Sequence, residues 1–152
     1  MKLKNLKSSN ITLKRLKKLS KTKGWPLSII GGLVYITLKI CGFMPKNYHG
    51  ISCFEIGKRW GGVSLGWFFI TGKENTEYTK NHEVGHIVQN AEVGGVTMLW
   101  FSICSVCRYW KRKLFRDKTR YDLWWFEGQA TMLGDEFINR IKEGETTWGT
   151  NK

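Results

Sequence analysis

The sequence is poor in three kinds of residue, and each shortage narrows what the chain can be. Its 152 residues include only two prolines and no internal repeat, which excludes a proline-rich linker and a solenoid. Four cysteines without dense spacing exclude a small disulfide scaffold and leave the redox compartment open. Acidic residues number 12 against 25 Lys and Arg, so the formal net charge is +13. A charge of this size indicates a polyanionic partner, either an anionic membrane or a nucleic acid.

Apolar residues are plentiful enough to build one packed domain. Hydrophobic residues make up 41% and charged residues 24% of the chain, which excludes wholesale disorder. The length fits one domain better than two. Eight tryptophans are unusually many, and tryptophan favours membrane interfaces and binding surfaces.

The positive charge is concentrated in two blocks, and each block adjoins an apolar stretch. Residues 1–23 hold nine Lys or Arg and no acid, and the apolar segment 25–44 follows them. Residues 108–120 hold seven Lys or Arg and one acid, and the uncharged segment 93–107 precedes them. Basic clusters beside apolar segments attract anionic lipid headgroups, so we favour an anionic membrane surface over nucleic acid as the partner.

The hydrophobic pattern predicts an α+β fold that is mostly helical, with a β-hairpin or small sheet before the central helix. The predicted elements are helices at 11–20 and 25–44, strands at 50–57 and 63–71, a helix from Thr79 or Asn81 to Glu92, a helix from the Gly94-Gly95 break to Cys107, and a helix at 121–141. The predicted segments are a basic amphipathic N-terminus (1–24), a membrane-anchor helix (25–44), a folded domain (45–143) and a flexible tail (144–152).

Two of the three histidines stand in one short motif, His82-Glu83-Val84-Gly85-His86. Residues four apart lie on one face of a helix, so both imidazoles can bind one zinc ion. Glu83 can reach a zinc-bound water without being a ligand, and zinc lowers the pKa of that water to about 7. Chance produces such a motif in roughly one shuffled sequence in three hundred, and the alternative is a pair of structural histidines.

A catalytic zinc ion needs a third protein ligand and leaves one position open for water. Two glutamates could supply that ligand. Glu92 lies six residues after His86, where one class of zinc peptidase carries a histidine, but that class has a glycine turn at the position of Gln89. Glu127 lies on the last predicted helix, whose packing against the motif helix would direct its carboxylate to the histidines. We therefore prefer Glu127 to Glu92.

Residues 63–135 resemble the gluzincin branch of the zincin metallopeptidases, which combine H-E-x-x-H with a glutamate on a later helix. The resemblance implies a zincin-like metallopeptidase domain at 45–143 that hydrolyses peptide bonds. The two motif histidines and Glu127 would bind Zn²⁺, and Glu83 would be the general base. The pattern is also similar to small membrane-associated bacterial proteins, which implies an inner-membrane protein of a bacterium or phage.

The resemblance also implies a substrate site on the second predicted strand. Gluzincins bind an extended peptide or protein substrate along an edge strand. The corresponding residues are Val63, Ser64, Leu65 and Gly66.

The chain departs from the gluzincin pattern in two respects. Many gluzincins orient a ligand histidine with an aspartate, and Thr131 occupies that position here. The residue that stabilises the transition state is left open among His49, Tyr109 and Tyr121.

Two smaller features also have alternative interpretations. Gly85 inside a helix costs about 1 kcal/mol relative to Ala, and it indicates either a tolerated weak position or the close approach of a neighbouring strand. Cys104 and Cys107 could form a redox or metal pair, but their apolar surroundings favour buried or lipid-facing thiols.

The membrane topology is constrained by the predicted metal ligands. If segment 93–107 crossed the bilayer, His86 and Glu127 would lie on opposite sides and could not share a zinc ion. Segment 93–107 must therefore be buried in the domain or enter and leave the membrane on one face. We predict that segment 25–44 is a shallow or re-entrant anchor and that both basic blocks face the anionic cytoplasmic leaflet. The alternative function is a catalytically inactive adaptor on a zincin-like scaffold, which binds membranes or nucleic acid.

Overall fold

A computed structural model describes residues 12–115 and 125–143 of the protein. The described chain consists of five helices and a four-stranded sheet, which confirms the predicted α+β, mostly helical fold. The helices are α1 (Leu13–Thr22), α2 (Trp25–Ile40), α3 (Glu77–Val93), α4 (Gly95–Phe115) and α5 (Trp125–Lys142). The strands are β1 (Lys46–Tyr48), β2 (Ile51–Glu55), β3 (Gly62–Leu65) and β4 (Phe68–Thr71).

The four strands pair in the order β1-β2-β4-β3, so that β1 and β3 are the edges of the sheet. β1 pairs antiparallel with β2, β3 pairs antiparallel with β4, and β2 runs parallel to β4. The prediction of one strand over 63–71 is wrong, because the chain reverses at Gly66, whose φ is 76°. Glycine adopts this left-handed conformation readily, and it allows a tight hairpin there. The sequence pattern does not predict β1, which is short and polar.

The sheet lies between two layers of helices. Cys53 and Phe69 point to one face, where they pack with α1, α3 and α5. Phe54 and Phe68 point to the other face, which α2 covers. This alternation follows from the two-residue period of a strand, and it buries both faces of the two central strands. Leu16 of α1 also belongs to the main core, so the N-terminal helix is part of the folded body.

The segment predicted as a membrane anchor forms the second of these layers. Tyr35 and Leu38 of α2 pack against the sheet, and the Tyr35 ring lies 5.0 Å from that of Phe54. The helix ends at Ile40, before the predicted end at Met44. None of the helices in the described chain has both the length and the apolar character needed to cross a bilayer.

Helix α3 begins about one turn earlier than predicted. Thr76 is its N-cap, and the Thr76 side chain accepts a hydrogen bond from the backbone N–H of Thr79. Glu77 lies in the first turn, where the positive end of the helix dipole favours an acid. The predicted start at Thr79 or Asn81 is wrong, because Thr76 caps the helix before either of these residues.

The predicted break between α3 and α4 is confirmed. Gly94 ends α3 with a φ of 88°, and α4 begins at Gly95. Helix α4 continues beyond the predicted end at Cys107, because the Lys- and Arg-rich residues that follow have high helix propensity. Three parts of the predicted organisation lie outside the described residues: the start of the basic N-terminus (1–11), the end of the second basic block (116–120) and the predicted tail (144–152).

Helices α3 and α5 pack unusually close together through two glycines. A Cβ atom at Gly85 of α3 would overlap the carbonyl oxygen of Ala130. A Cβ atom at Gly134 of α5 would overlap the carbonyl oxygen of Asn81. The expected close approach at Gly85 is therefore present, but the neighbour is helix α5 and not a strand.

We expect Gly85→Ala to lower the free energy of unfolding by about 2 kcal/mol or more, because its methyl group must displace the α5 backbone. Gly32→Ala is a matched control, because Gly32 lies inside α2 and a Cβ atom there meets no atom within 4 Å. Its better helix propensity should raise the free energy of unfolding by up to about 1 kcal/mol. Urea unfolding followed by circular dichroism measures both variants. Equal stabilities would contradict the close contact between α3 and α5.

Candidate metal centre

Three side chains present one ligand atom each around a common point. His82 and His86 lie one turn apart on α3, and Glu127 lies in the first turn of α5. Glu127 Oε2 is 3.1 Å from His82 Nε2 and 3.2 Å from His86 Nε2, and the two Nε2 atoms are 3.1 Å apart. Ligands bound to tetrahedral zinc at about 2.0–2.1 Å are separated by about 3.3 Å, which is close to these distances. In the part of the chain that the structure describes, this is the one group of three potential metal ligands.

The other proposed ligand, Glu92, is not a member of this group. Helix α3 continues unbroken from Glu77 to Val93, so the chain does not turn back at Gln89. A ligand at Glu92 would require such a turn. The geometry therefore favours Glu127, as the helix-packing argument predicts.

The second nitrogen of each imidazole is held by a polar side chain. His82 Nδ1 lies 2.9 Å from Thr131 Oγ1, and His86 Nδ1 lies 2.9 Å from Gln89 Oε1. Gln89 is fully buried, and its Nε2 donates to the Phe126 carbonyl oxygen at 2.9 Å, which fixes the orientation of the amide. Because Gln89 Oε1 can only accept, His86 donates from Nδ1, and in the neutral imidazole the lone pair is on Nε2. This is the tautomer that a metal ligand needs.

Glu127 is buried, with 1% of its surface exposed, and it is held as a carboxylate. Ser105 of α4 donates to its Oε1 at 2.5 Å, while Oε2 faces the two histidines. Burial raises the pKa of this carboxyl, but the hydrogen bonds with His82, His86 and Ser105 lower the pKa more, to well below its ordinary value. One oxygen is thus kept charged and available for a cation.

Glu83 lies beside the group and contacts strand β3. Glu83 is buried, and the Ser64 hydroxyl lies 2.7 Å from Glu83 Oε2 and 2.6 Å from the Glu83 carbonyl oxygen. A Cβ atom at Gly62 would come within 2.6 Å of Glu83 Oε1, so the absence of a side chain there makes room for the carboxyl. Burial raises the pKa of Glu83, and the charges of His86 and His82 only partly offset this effect.

The predicted substrate residues divide between a strand and a turn. Val63, Ser64 and Leu65 lie on the edge strand β3, but Gly66 lies in the turn to β4. A Cβ atom at Gly66 would approach the backbone of Ser28 on α2 to 2.8 Å, so Gly66 is a packing position. The edge strand that the gluzincin resemblance implies therefore corresponds to β3 alone, since β4 lies inside the sheet.

Of the remaining sequence candidates, those that the structure describes do not join the group. His49 lies in the turn between β1 and β2 and is not one of the clustered ligands. Tyr121 and the side chain of Tyr109 lie outside the described part of the chain. Cys104 and Cys107 are free thiols on α4, the first half-buried and the second exposed.

Two residues at the site were missed by sequence reasoning. Gln89 stands three residues after His86, and this spacing places both side chains on one face of a helix, so the pairing could have been found. Ser105 carries no sequence signal, because it comes from α4 and meets Glu127 only through tertiary packing.

We expect His82→Ala, His86→Ala and Glu127→Ala each to weaken zinc binding by about a hundredfold or more, because each removes one of three ligands. Glu92→Ala is the matched control and should bind zinc as the wild type does. Competition with a fluorescent zinc chelator measures the affinities, and circular dichroism checks the fold. Equal affinity in Glu127→Ala and the wild type would exclude the three-residue group.

We expect Thr131→Val to weaken zinc binding by about tenfold, because it removes the hydroxyl that holds the His82 ring without changing the shape of the side chain. Thr131→Ser retains the hydroxyl and should keep most of the affinity. The same chelator competition compares the two variants. An equal loss in both would mean that packing of the methyl group, and not the hydrogen bond, positions His82.

Comparisons with known proteins identify no relative of this chain. No protein-family model, no curated protein and no solved structure matches it. The resemblance to gluzincins therefore stays a prediction, supported by the residues and distances described above.

Proposed function

We propose that the protein is a zinc-dependent metallopeptidase that hydrolyses peptide bonds with an activated water. The observation that carries this proposal is the triangle of ligand atoms from His82, His86 and Glu127 beside the buried carboxyl of Glu83. Two imidazoles and one carboxylate suit zinc and leave a fourth position for water. The histidine side chains are 17% and 15% exposed, so the group is not sealed from solvent.

The electrostatics of the site also favour a bound cation. Burial is the main cause that raises the pKa of Glu83, and the charge of Glu127, which is also buried, raises it further. This effect reflects repulsion between two carboxylates in a poorly solvated site. A divalent cation between the ligands would relieve the repulsion and would lower the pKa of Glu83, as the histidine charges do.

Different residues of the chain would then have separate roles in peptide hydrolysis. Zinc, when bound, supplies a water with a pKa of about 7 and polarises the scissile carbonyl. With such a water in place, Glu83 would accept a proton from it as the water oxygen adds to the carbonyl carbon, and would return that proton to the leaving amine as the C–N bond breaks. Ser64 positions Glu83, and Thr131 and Gln89 position the imidazoles.

The edge strand supports a peptide as the substrate. β3 pairs with β4 on one side only and lies beside α3, which carries the motif. An extended peptide can add to such an edge through main-chain hydrogen bonds. Because Ser64 of this strand contacts Glu83, a peptide bound along β3 would lie next to the general base.

We expect Glu83→Gln to bind zinc as the wild type does but to lose peptidase activity by about a thousandfold or more, because an amide cannot accept the proton. Cleavage of a peptide library by zinc-loaded protein, read by mass spectrometry, measures the activity. Glu92→Gln is the matched control on the same helix and should remain active.

Two outcomes would contradict the proposal in different ways. Equal cleavage by Glu83→Gln and the wild type would exclude Glu83 as the base. Zinc binding by the wild type without cleavage of any peptide would favour the inactive adaptor on the same scaffold.

A further inference from the structure

Helix α2 has two apolar sides, and only one of them is used inside the protein. Its inner side packs on the sheet through residues such as Tyr35 and Leu38. Its outer side is a stripe of exposed apolar residues spaced three or four apart: Trp25, Ile29, Leu33, Ile36 and Ile40. Leu33, for example, is 65% exposed. This spacing places the residues on one face of the helix.

Helix α4 repeats this arrangement. Met98 is buried with Leu27 of α2, whereas the outer side of α4 exposes apolar residues at helical spacing: Val96, Trp100, Ile103, Val106, Trp110 and Leu114. The two helices start side by side, because the backbone N–H of Gly95 donates to the carbonyl oxygen of Lys23 at 3.0 Å. We call the two exposed stripes together the α2–α4 surface. Exposed apolar patches of this extent mark interaction surfaces.

Among the described residues, the helices that form or adjoin this surface carry charges of one sign. Helices α1, α2 and α4 contain no Asp or Glu. Exposed lysines adjoin the apolar stripes: Lys21 and Lys23 precede α2, Lys39 lies in its last turn, and Lys111 lies on α4. A second copy of the chain would bring these like charges together, whereas an anionic lipid leaflet offers both acyl chains for the apolar stripes and phosphates for the lysines.

We propose that the α2–α4 surface docks onto an anionic lipid bilayer, with both helices lying in the interface between headgroups and acyl chains. Tryptophan is enriched at this depth, and each of the two stripes contains it: Trp25 on α2, and Trp100 and Trp110 on α4. A nucleic acid would satisfy the lysines but would leave the apolar stripes in water. The proposal concerns the surface alone and does not depend on zinc or on catalysis.

Helix α4 carries one of the two stripes and also contacts the candidate metal centre, because Ser105 donates to Glu127. Exposed Trp125 contacts Phe101 of α4, with ring centroids 5.5 Å apart. Phe101 packs on Phe126 at 4.3 Å, and Phe126 stacks on the His86 ring at 5.4 Å. A row of aromatic rings thus leads from exposed Trp125, through Phe101 and Phe126, to His86.

Flotation with lipid vesicles tests the proposal on the full chain, synthesised in a cell-free system with vesicles present. The protein should float with phosphatidylcholine vesicles that contain phosphatidylglycerol, and much less with phosphatidylcholine alone. Leu33→Gln combined with Trp100→Gln should reduce partitioning into anionic vesicles by about a hundredfold, because two anchoring side chains lose their contact with lipid. Tyr78→Gln removes a similarly exposed side chain (55%) from α3 and should float as the wild type does.

Further comparisons separate this proposal from its alternatives. His82→Ala, which removes a proposed metal ligand, should still float, so loss of the metal centre and loss of membrane docking are distinguished. Equal circular dichroism spectra for wild type and double variant show that the fold survives. Flotation of the double variant equal to that of the wild type would overturn the proposal. So would a lipid-free dimer that the double substitution dissociates, or DNA binding that displaces the protein from vesicles and is unchanged in the double variant.

Discussion

Helices α3 and α5 meet backbone to backbone, where Gly85 faces the Ala130 carbonyl and Gly134 faces the Asn81 carbonyl. A side chain at either glycine would push the two helix axes apart. The candidate metal centre depends on this separation, because its proposed ligands come from both helices and their atoms lie only about 3 Å apart. The rest of the fold supports this pair of helices, with the sheet and α1 completing the core around them.

The same packing assembles the groups around the ligands. Thr131 lies one turn after Glu127 on α5, so the helix that carries the proposed third ligand also carries the hydroxyl that contacts His82. On α3, the Gln89 side-chain oxygen contacts His86 Nδ1 in the corresponding way. The Gln89 amide nitrogen donates to the Phe126 carbonyl of α5. The orientation of both imidazoles is therefore linked to the position of one helix relative to the other.

The protein separates its charges between two regions. Buried carboxylates lie on α3 and α5 at the candidate metal centre, whereas α1, α2 and α4 carry cations and no acids. Helix α4 belongs to both regions, since Ser105 contacts Glu127 and Trp100 is exposed on the opposite side. Helix α4 therefore connects the basic, apolar part of the fold with the H-E-x-x-H motif, although the two lie in separate parts of the sequence.

Local patterns in the sequence determined most of the elements and half of the site. Helical spacing placed His82 and His86 on one face, and Gly94-Gly95 marked a helix end, because both depend only on neighbouring residues. Thr76 as the cap of α3 was missed, although its type is a local signal. The strand reversal at Gly66 was also missed, since a glycine inside an apolar run can equally stay extended. Glu127 was chosen over Glu92 by an argument about packing, which the sequence could suggest but not measure. Only the tertiary structure decided that α5 approaches α3 closely enough for both helices to contribute to the candidate site, that Ser105 reaches Glu127, and that Ser64 contacts Glu83. These contacts join residues far apart in the chain, so they exist only after the core has packed.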